Sequence, residues 1–303
     1  MLPSYISELS LEELKERKDK LYELLEACRL CPNECGVDRR ISNDGNCRSG
    51  YLPVVSSYFP HFGEEPPLVG RFGSGTIFFT NCNLDCKFCQ NYDISHFGIG
   101  KEVTIEELAS MMLYLQNRGC HNINFVTPTH FTPQIVDALI IARERGLEIP
   151  LVYNCGGYES VETLKLLDKI IDIYMPDIKY SSNENALKYS GASDYWDVVK
   201  KAIKEMHRQV GDFVISSSGI AKRGLLIRHL VLPNDISGSK KVLEFIANEI
   251  SKNSYVNIMD QYRPAYLANK FPELNRSIYE REFYEVISFA RQIGLYRGFE
   301  EYA

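Results

Sequence analysis

The chain carries no excess of positive charge. Its 34 Lys and Arg stand against 40 Asp and Glu, a formal net charge of −6. That excludes the broad basic surface of a general nucleic-acid binder, so no nucleic-acid partner is expected. No apolar run approaches the ~20 residues of a membrane-spanning helix, so no membrane partner is expected either. The stretch Met1 to Lys18 lacks a basic region followed by an apolar one, and no secretion leader is expected. No internal repeat or low-complexity tract is present. No Gly-Lys-Ser/Thr follows Gly73 and Gly75, so they form no phosphate loop and are read as glycines that let the backbone turn into a strand. Cysteine is the exception to this restraint. Nine are present, an odd count, and seven fall in two short groups. Without a leader, that pattern points to metal sites in a reducing cytoplasm rather than to disulfides.

The spacing of apolar residues and caps predicts the elements. Ser10 with Glu13 forms a capping box for a helix over 11–27, with Leu14, Leu21, Leu24 and Leu25 on its apolar face. Residues 51–75 are rich in Gly and Pro with no strand or helix expected, and His61–Pro67 within them reads as loop. Strands are then expected at 76–80, 123–127, 150–154, 171–179, 225–232 and 256–260. Helices lie between and after them: Thr104 with Glu107 caps one that Gly119 ends, and Thr132-Pro133 starts one that Gly146 ends. Ser160 opens a short helix, and Ser193 caps one carrying Trp196, Val199, Ile203 and Met206. Another lies within 239–253, and Ser277 with Glu280 caps the last, which Gly294 ends. Six alternating strand–helix units predict an α/β fold: a parallel sheet covered by helices, in a partial (β/α)6 TIM-like barrel. A small extension, the N-terminal helix plus a four-cysteine segment, precedes it. The expected division is 1–55 for the extension and 56–303 for the barrel.

Both cysteine groups have ligand-like spacing. Cys82, Cys86 and Cys89 are spaced C-x3-C-x2-C in a loop directly after the first barrel strand. Thiolates suit Fe–S clusters or zinc. Both commonly take four protein ligands, yet no fourth Cys or His follows nearby. A [4Fe-4S] cube on three thiolates keeps one iron open for a small molecule. Cys28, Cys31, Cys35 and Cys47 form the second group, in a polar segment with little core of its own. Four thiolates there suit either a zinc ion or a second Fe–S cluster, which would give the segment its fold.

In parallel barrels, reactive groups gather at the C-terminal ends of the strands. Here those ends carry Cys82, the run Thr127-Pro128-Thr129-His130, then Asn154-Cys155, and then Asp177 and Lys179. Asp177 and Lys179 lie two apart on a strand and therefore on one face. They read either as an interior salt bridge or as a pair that fixes a zwitterionic ligand. Arg228 reads either as a surface residue or as a fork for a carboxylate. His229 alternates to the opposite face and is read as core or as a support behind the site, and Cys120 as core.

C-x3-C-x2-C with an aromatic residue, Phe88, just before the third Cys resembles the signature of the radical S-adenosylmethionine (SAM) superfamily. The stretches Gly73–Phe79, Cys89–Asn91, Met175–Tyr180 and Ile227–Pro233 resemble, within it, the group related to pyruvate formate-lyase activating enzyme. The resemblance implies a [4Fe-4S] cluster on Cys82, Cys86 and Cys89 whose open iron chelates SAM. It implies reductive cleavage to methionine and a 5′-deoxyadenosyl radical that abstracts hydrogen from a protein or peptide substrate. It further implies Asn154 near the ribose, Asp177 and Lys179 near the methionine, and Arg228 as a basic contact. Thr127 to His130 stands where a Gly-Gly-Glu motif for the SAM amino group is expected, leaving Thr127 and Thr129 as candidates. A low-potential donor of the ferredoxin or flavodoxin type is implied too. The four-cysteine segment departs from the true activating enzymes and weakens pyruvate formate-lyase as the substrate. Cys155 reads either as a small packing group beside the ribose or as a hydrogen-atom donor in catalysis. The alternatives are a radical SAM enzyme acting on a small molecule, a non-catalytic Fe–S electron carrier and a zinc-stapled binding module.

Overall fold

The computed structural model describes residues 2–300. Its single sheet contains β1 (Val54–His61), β2 (Ser74–Phe79), β3 (Lys101–Glu102), β4 (Ile123–Val126), β5 (Leu151–Cys155), β6 (Ile173–Pro176), β7 (Val214–Ile215), β8 (Ala221–Leu230) and β9 (Tyr255–Met259). The run β2-β4-β5-β6-β8-β9 is parallel and matches the six expected strands. Among the described residues no ladder joins β9 to β1, so the barrel is partial.

The first four helices are α1 (Ser4–Ser7), α2 (Leu11–Glu23), α3 (Pro66–Val69) and, after β2, α4 (Tyr92–Ser95). Those that follow are α5 (Ile105–Asn117), α6 (Thr132–Glu144), α7 (Val161–Leu166), α8 (Asn183–Ser190), α9 (Tyr195–Val210), α10 (Ser239–Phe245) and α11 (Glu280–Gln292). The first two expected capping boxes form. Glu13 accepts from the Ser10 N–H at 2.8 Å, and Glu107 from the Thr104 N–H at 2.7 Å. Each satisfies an N–H that the helix itself cannot.

Alternation along the strands divides the apolar residues into two cores. Leu151 and Tyr153 of β5, Ile123 and Phe125 of β4, and Leu225 and Ile227 of β8 belong to the large outer core under the helices. Val152, Ile173, Met175 and Leu226 face the lumen, where they pack with Leu68, Phe213 and Tyr255. Leu68 belongs to α3, so this short helix plugs the lumen floor.

The segment 51–75 corrects the sequence reading. It holds β1, antiparallel to β2, and α3. Its Pro60 and the bulge between Val55 and Ser57 fit an outer strand rather than a central one, and they hid the strand pattern. Three smaller departures concern helices. α8 was not expected, α9 begins after Asp194 rather than Ser193, and α11 starts at Glu280 with Glu282 reaching back to the Tyr279 N–H at 2.8 Å.

Candidate functional site

The three-cysteine loop leaves β2 through Asn81, whose φ of 66° turns the chain sharply. Its sulfurs sit among donors. Cys82 Sγ accepts from the Leu84 N–H at 3.4 Å, Cys86 Sγ from Ser190 Oγ at 3.1 Å, and Cys89 Sγ lies 3.1 Å from Ser95 Oγ. Burial pushes the Cys82 thiol up to about 12, and the neighbouring Cys86 and Cys89 add to the rise. Burial likewise raises Cys86 to about 11, against the pull of Lys179. Cys82 and Cys86 thus both lie close enough to Cys89 and to Lys179 to feel their charge. Among the described residues, no group of three or more His, Cys, Asp or Glu stands in the geometry of a formed metal site. The donor chemistry fits a cluster: three soft ligands, hydrogen-bond donors to sulfur and an adjacent ammonium.

That ammonium is held by the predicted carboxylate. Lys179 Nζ donates to Asp177 Oδ2 at 2.6 Å. Burial opposes the Lys179 charge, but Asp177 and then Cys86 outweigh it and raise its pKa. Phe88 packs edge-on against Tyr180 and Tyr262 and, with Asp177, Lys179, Leu230, Leu232 and Met259, lines an enclosed cavity of about 50 Å³. Two glycines let these parts meet. A Cβ on Gly157, at φ 76°, would lie 2.4 Å from the Asp177 carbonyl oxygen, and one on Gly156 would lie 2.9 Å from Leu84 Cδ1. The cluster loop, the β5 exit and the Asp177–Lys179 pair are thus in mutual contact.

Arg228 also faces the lumen, but its fork is occupied. It pairs with Glu64 Oε2 at 3.0 Å and Glu65 Oε1 at 2.9 Å and lies 3.4 Å from Asn154 Oδ1. Asn124 and Asn257 donate to the same two carboxylates at 2.9 and 2.7 Å. Glu64 and Glu65, read from sequence as loop, are the buried partners of Arg228. Their signal was the acidic pair before Pro66-Pro67, a helix-start pattern. Arg228 is neither a surface residue nor a free carboxylate fork. His229 lies on the outer face, between the Ile178 carbonyl at 2.7 Å and Ser239 Oγ at 2.9 Å, as expected of core.

The side chains of Thr129 and Cys155 turn away from the lumen, although the Cys155 carbonyl accepts from the Asp177 N–H at 2.9 Å. Thr127 has a φ of 58°, unusual for a β-branched residue, and its N–H donates to the Asn154 carbonyl at 2.9 Å. Thr129 donates instead to buried Glu159 at 2.7 Å, and Tyr153 donates to the other Glu159 oxygen at 3.1 Å. Cys155 shares the outer face of β5 with Tyr153 and bonds the same carboxyl. Burial raises the Glu159 pKa to about 7, against its three hydrogen bonds. Cys155 therefore points into the helical layer, away from lumen-facing Asn154. Glu159 escaped the sequence reading because nothing local marks a buried acid.

The four-cysteine segment lies against the cluster loop. Asn33 Nδ2 donates to the Asn83 carbonyl at 2.7 Å, and Arg48 donates to the His96 and Ser95 carbonyls at 2.6 and 2.9 Å. Asn33, Asn46 and Arg48 share with Cys82, His96 and Tyr266 the wall of a polar cavity of about 420 Å³. The Cys28 thiol feels Cys47 and Cys35, and Cys31 feels Cys47 and Cys28, so the four cysteines are neighbours, although among the described residues they too do not stand in the geometry of a formed site. Four neighbouring soft donors are of the kind that zinc or an Fe–S cluster takes.

A partial parallel barrel with three thiols at the end of its first parallel strand defines a class, and sequence comparison agrees. The radical SAM superfamily model matches residues 76–221. An uncharacterized protein of Methanocaldococcus jannaschii is 32% identical over 280 residues, covering 88% of this chain and 75% of that protein. The chain belongs to the radical SAM superfamily, whose members use a [4Fe-4S] cluster and SAM. Within it, the pyruvate formate-lyase-activating enzyme of Clostridium pasteurianum is 26% identical over 225 residues, 71% of this chain and 86% of that enzyme. In fold, the crystal structure of HydG, a maturase of the [FeFe]-hydrogenase, superposes with a TM-score of 0.50 at 15% identity. That match covers 96% of this chain but 63% of the HydG chain, less than two thirds of its length. No helix among the described residues is long and apolar enough to cross a membrane.

Proposed function

We propose that this chain binds a [4Fe-4S] cluster through Cys82, Cys86 and Cys89, cleaves SAM reductively and abstracts hydrogen from a protein or peptide. The observation that carries this reading is the half-buried Asp177–Lys179 pair beside the three-cysteine loop. When bound, the cluster supplies the electron for cleavage of the SAM sulfonium. The chain's own residues set the charge around it. Lys179 offsets the negative charge of the thiolates, and Asp177 holds Lys179 in place. Asp177 can also accept from an ammonium group, and Lys179 can donate to a carboxylate, so the pair suits an amino-acid end. Phe88, Leu230 and Met259 cover one side of the pair. Asn154 offers a lumen-facing amide for a ribose, and the unusual backbone at Thr127 leaves its hydroxyl as a candidate contact for the SAM amino group. Arg228 acts through Glu64 and Glu65 to hold the lumen floor rather than by touching SAM.

A polypeptide substrate is supported by the relationship to an activating enzyme and by the open side of the barrel, where the lumen-facing ring of Phe59 is 41% exposed. A small-molecule substrate is the second reading, favoured by the tight enclosure beside Asp177 and Lys179. A ferredoxin- or flavodoxin-type protein is the proposed electron donor, and the cytoplasm the proposed location. Residues 1–55 are proposed as an extension that carries one metal ion or cluster on Cys28, Cys31, Cys35 and Cys47.

Anaerobically reconstituted protein, reduced and given SAM, is expected to release 5′-deoxyadenosine. A [4Fe-4S] protein that never does so under strong reductant, or that shows no heat of SAM binding by calorimetry, would be an electron carrier instead. Zinc rather than iron on Cys82, Cys86 and Cys89 would end the reading before any assay.

A further inference from the structure

Arg39 is the largest fully buried side chain, 1% exposed. Its guanidinium donates to three backbone carbonyls: Ser49 at 2.9 Å, Gly50 at 2.8 Å and His130 at 2.6 Å. It also lies 5.7 Å from the centre of the Phe131 ring. Among the described residues it forms no ion pair with an Asp or Glu. By contrast Arg228, although 17% exposed, meets two carboxylates. Carbonyl oxygens satisfy N–H groups but carry no net charge. A buried cation without a counter-charge is costly, and proteins pair such groups or omit them.

The surroundings of Arg39 show where the missing negative charge comes from. The Cys28 N–H donates to the Val37 carbonyl at 2.8 Å, and the Arg39 N–H donates to the Leu25 carbonyl at 2.9 Å. These bonds set Arg39 beside the first cysteine of the group. Ser49 and Gly50 follow Cys47 directly, so the same guanidinium touches the chain next to the last cysteine. Its charge acts on the Cys28 thiol. We propose that the four-cysteine segment holds a metal centre of net negative charge and that Arg39 is its buried counter-charge. The inference rests on the metal reading of that segment given above. Four thiolates around a divalent zinc leave a net charge of about −2, and a [4Fe-4S] cluster on four thiolates is likewise anionic. Free thiols are mostly neutral at pH 7, so only the loaded centre compensates Arg39. Metal and guanidinium then stabilise each other, as linkage requires.

The test uses the full chain with Cys82, Cys86 and Cys89 changed to Ala, which leaves one site, and zinc as the probe. Zinc affinity is measured by competition with a chromophoric chelator, and metal-free stability by urea unfolding. Arg39→Gln keeps donors for the carbonyls but removes the charge, and is expected to weaken zinc binding by about tenfold or more. Arg39→Lys keeps the charge without the fork and is expected to stay within about threefold of the parent. Metal-free Arg39→Gln is expected to unfold at the same or a higher urea concentration than the metal-free parent. The proposal is overturned if Gln binds zinc as tightly as Arg, or if Lys weakens binding as much as Gln. It is overturned too if Gln destabilises the metal-free and loaded forms equally, since Arg39 then only joins carbonyls. The underlying metal reading fails in a different way: the parent would take up neither zinc nor iron.

Discussion

The two cysteine-rich stretches differ in what surrounds their sulfurs. Cys82, Cys86 and Cys89 offer three ligands, and beside them stands an ionised pair, Asp177 and Lys179, able to hold a polar molecule. Cys28, Cys31, Cys35 and Cys47 offer four ligands, and beside them stands Arg39, whose donors already meet carbonyls. An open ligand position with polar groups that can meet a ligand is what chemistry needs. A full ligand set with a fixed counter-charge is what a structural or electron-carrying centre needs. Ligand count alone does not make this distinction; the neighbouring charges do.

The largest effect that could break the comparison concerns the open site. Any single change of Cys82, Cys86 or Cys89 to Ala is expected to abolish 5′-deoxyadenosine release and to lower iron by about four atoms per chain. Iron analysis and product chromatography check both, and a variant that retains turnover would remove the loop from the chemistry. Next comes the pair beside it. Lys179→Met and Asp177→Asn are each expected to lower kcat/KM for SAM by roughly 10²-fold, because each leaves a half-buried partner unpaired near the thiolates and removes half of the site for an amino-acid end. If SAM titrations and rates are unchanged, the pair is merely a barrel-filling salt bridge.

The third prediction concerns Glu159, a buried acid whose field reaches Cys31 and whose carboxyl bonds Thr129, Tyr153 and Cys155. Burial raises its folded pKa to about 7, above the ordinary carboxyl value of 4.5. The folded state therefore binds the proton more tightly, and the group's contribution to stability falls as pH rises from the unfolded to the folded pKa. Glu159→Gln removes that loss. Relative to wild type, the variant is expected to gain on the order of 1–3 kcal/mol between pH 5 and about pH 8, read from urea unfolding. A pH-independent difference would mean that Glu159 does not titrate in this range. The smallest expected effect belongs to Cys155→Ala. With its thiol on the helical side of β5, SAM cleavage and product formation are expected to stay within about twofold. A substrate radical that accumulates in this variant, seen by electron paramagnetic resonance, would instead give Cys155 the donor role.

The barrel was readable because its signals are local. Runs such as Thr76–Phe79 and Leu225–Leu232, punctuated by Gly119, Gly146 and Gly294, place six strands and most of the helices between them. The pairing of Asp177 with Lys179 was readable too, since residues two apart on a strand share a face. β1 was not, because Pro60 and its bulge imitate a loop while its partner β2 supplies the ladder. Thr129 and Cys155 were placed at the rim by position in the chain. Which way each side chain turned depended on Glu159, which arrives from the loop after β5.

By itself, the sequence determined the strand–helix alternation, the two thiol groups with their spacing, and the polar residues at one end of the strands. Each depends on neighbours a few residues apart, where periodicity and backbone geometry act directly. Only the tertiary structure decided which charges compensate one another. It gave Arg228 to Glu64 and Glu65, 164 and 163 residues away in the chain. It gave Lys179 to the thiols of the three-cysteine loop, and it left Arg39 with carbonyls alone beside the four cysteines. Burial sets the cost of an unpaired charge, and burial is a property of the assembled fold, not of any local stretch of chain.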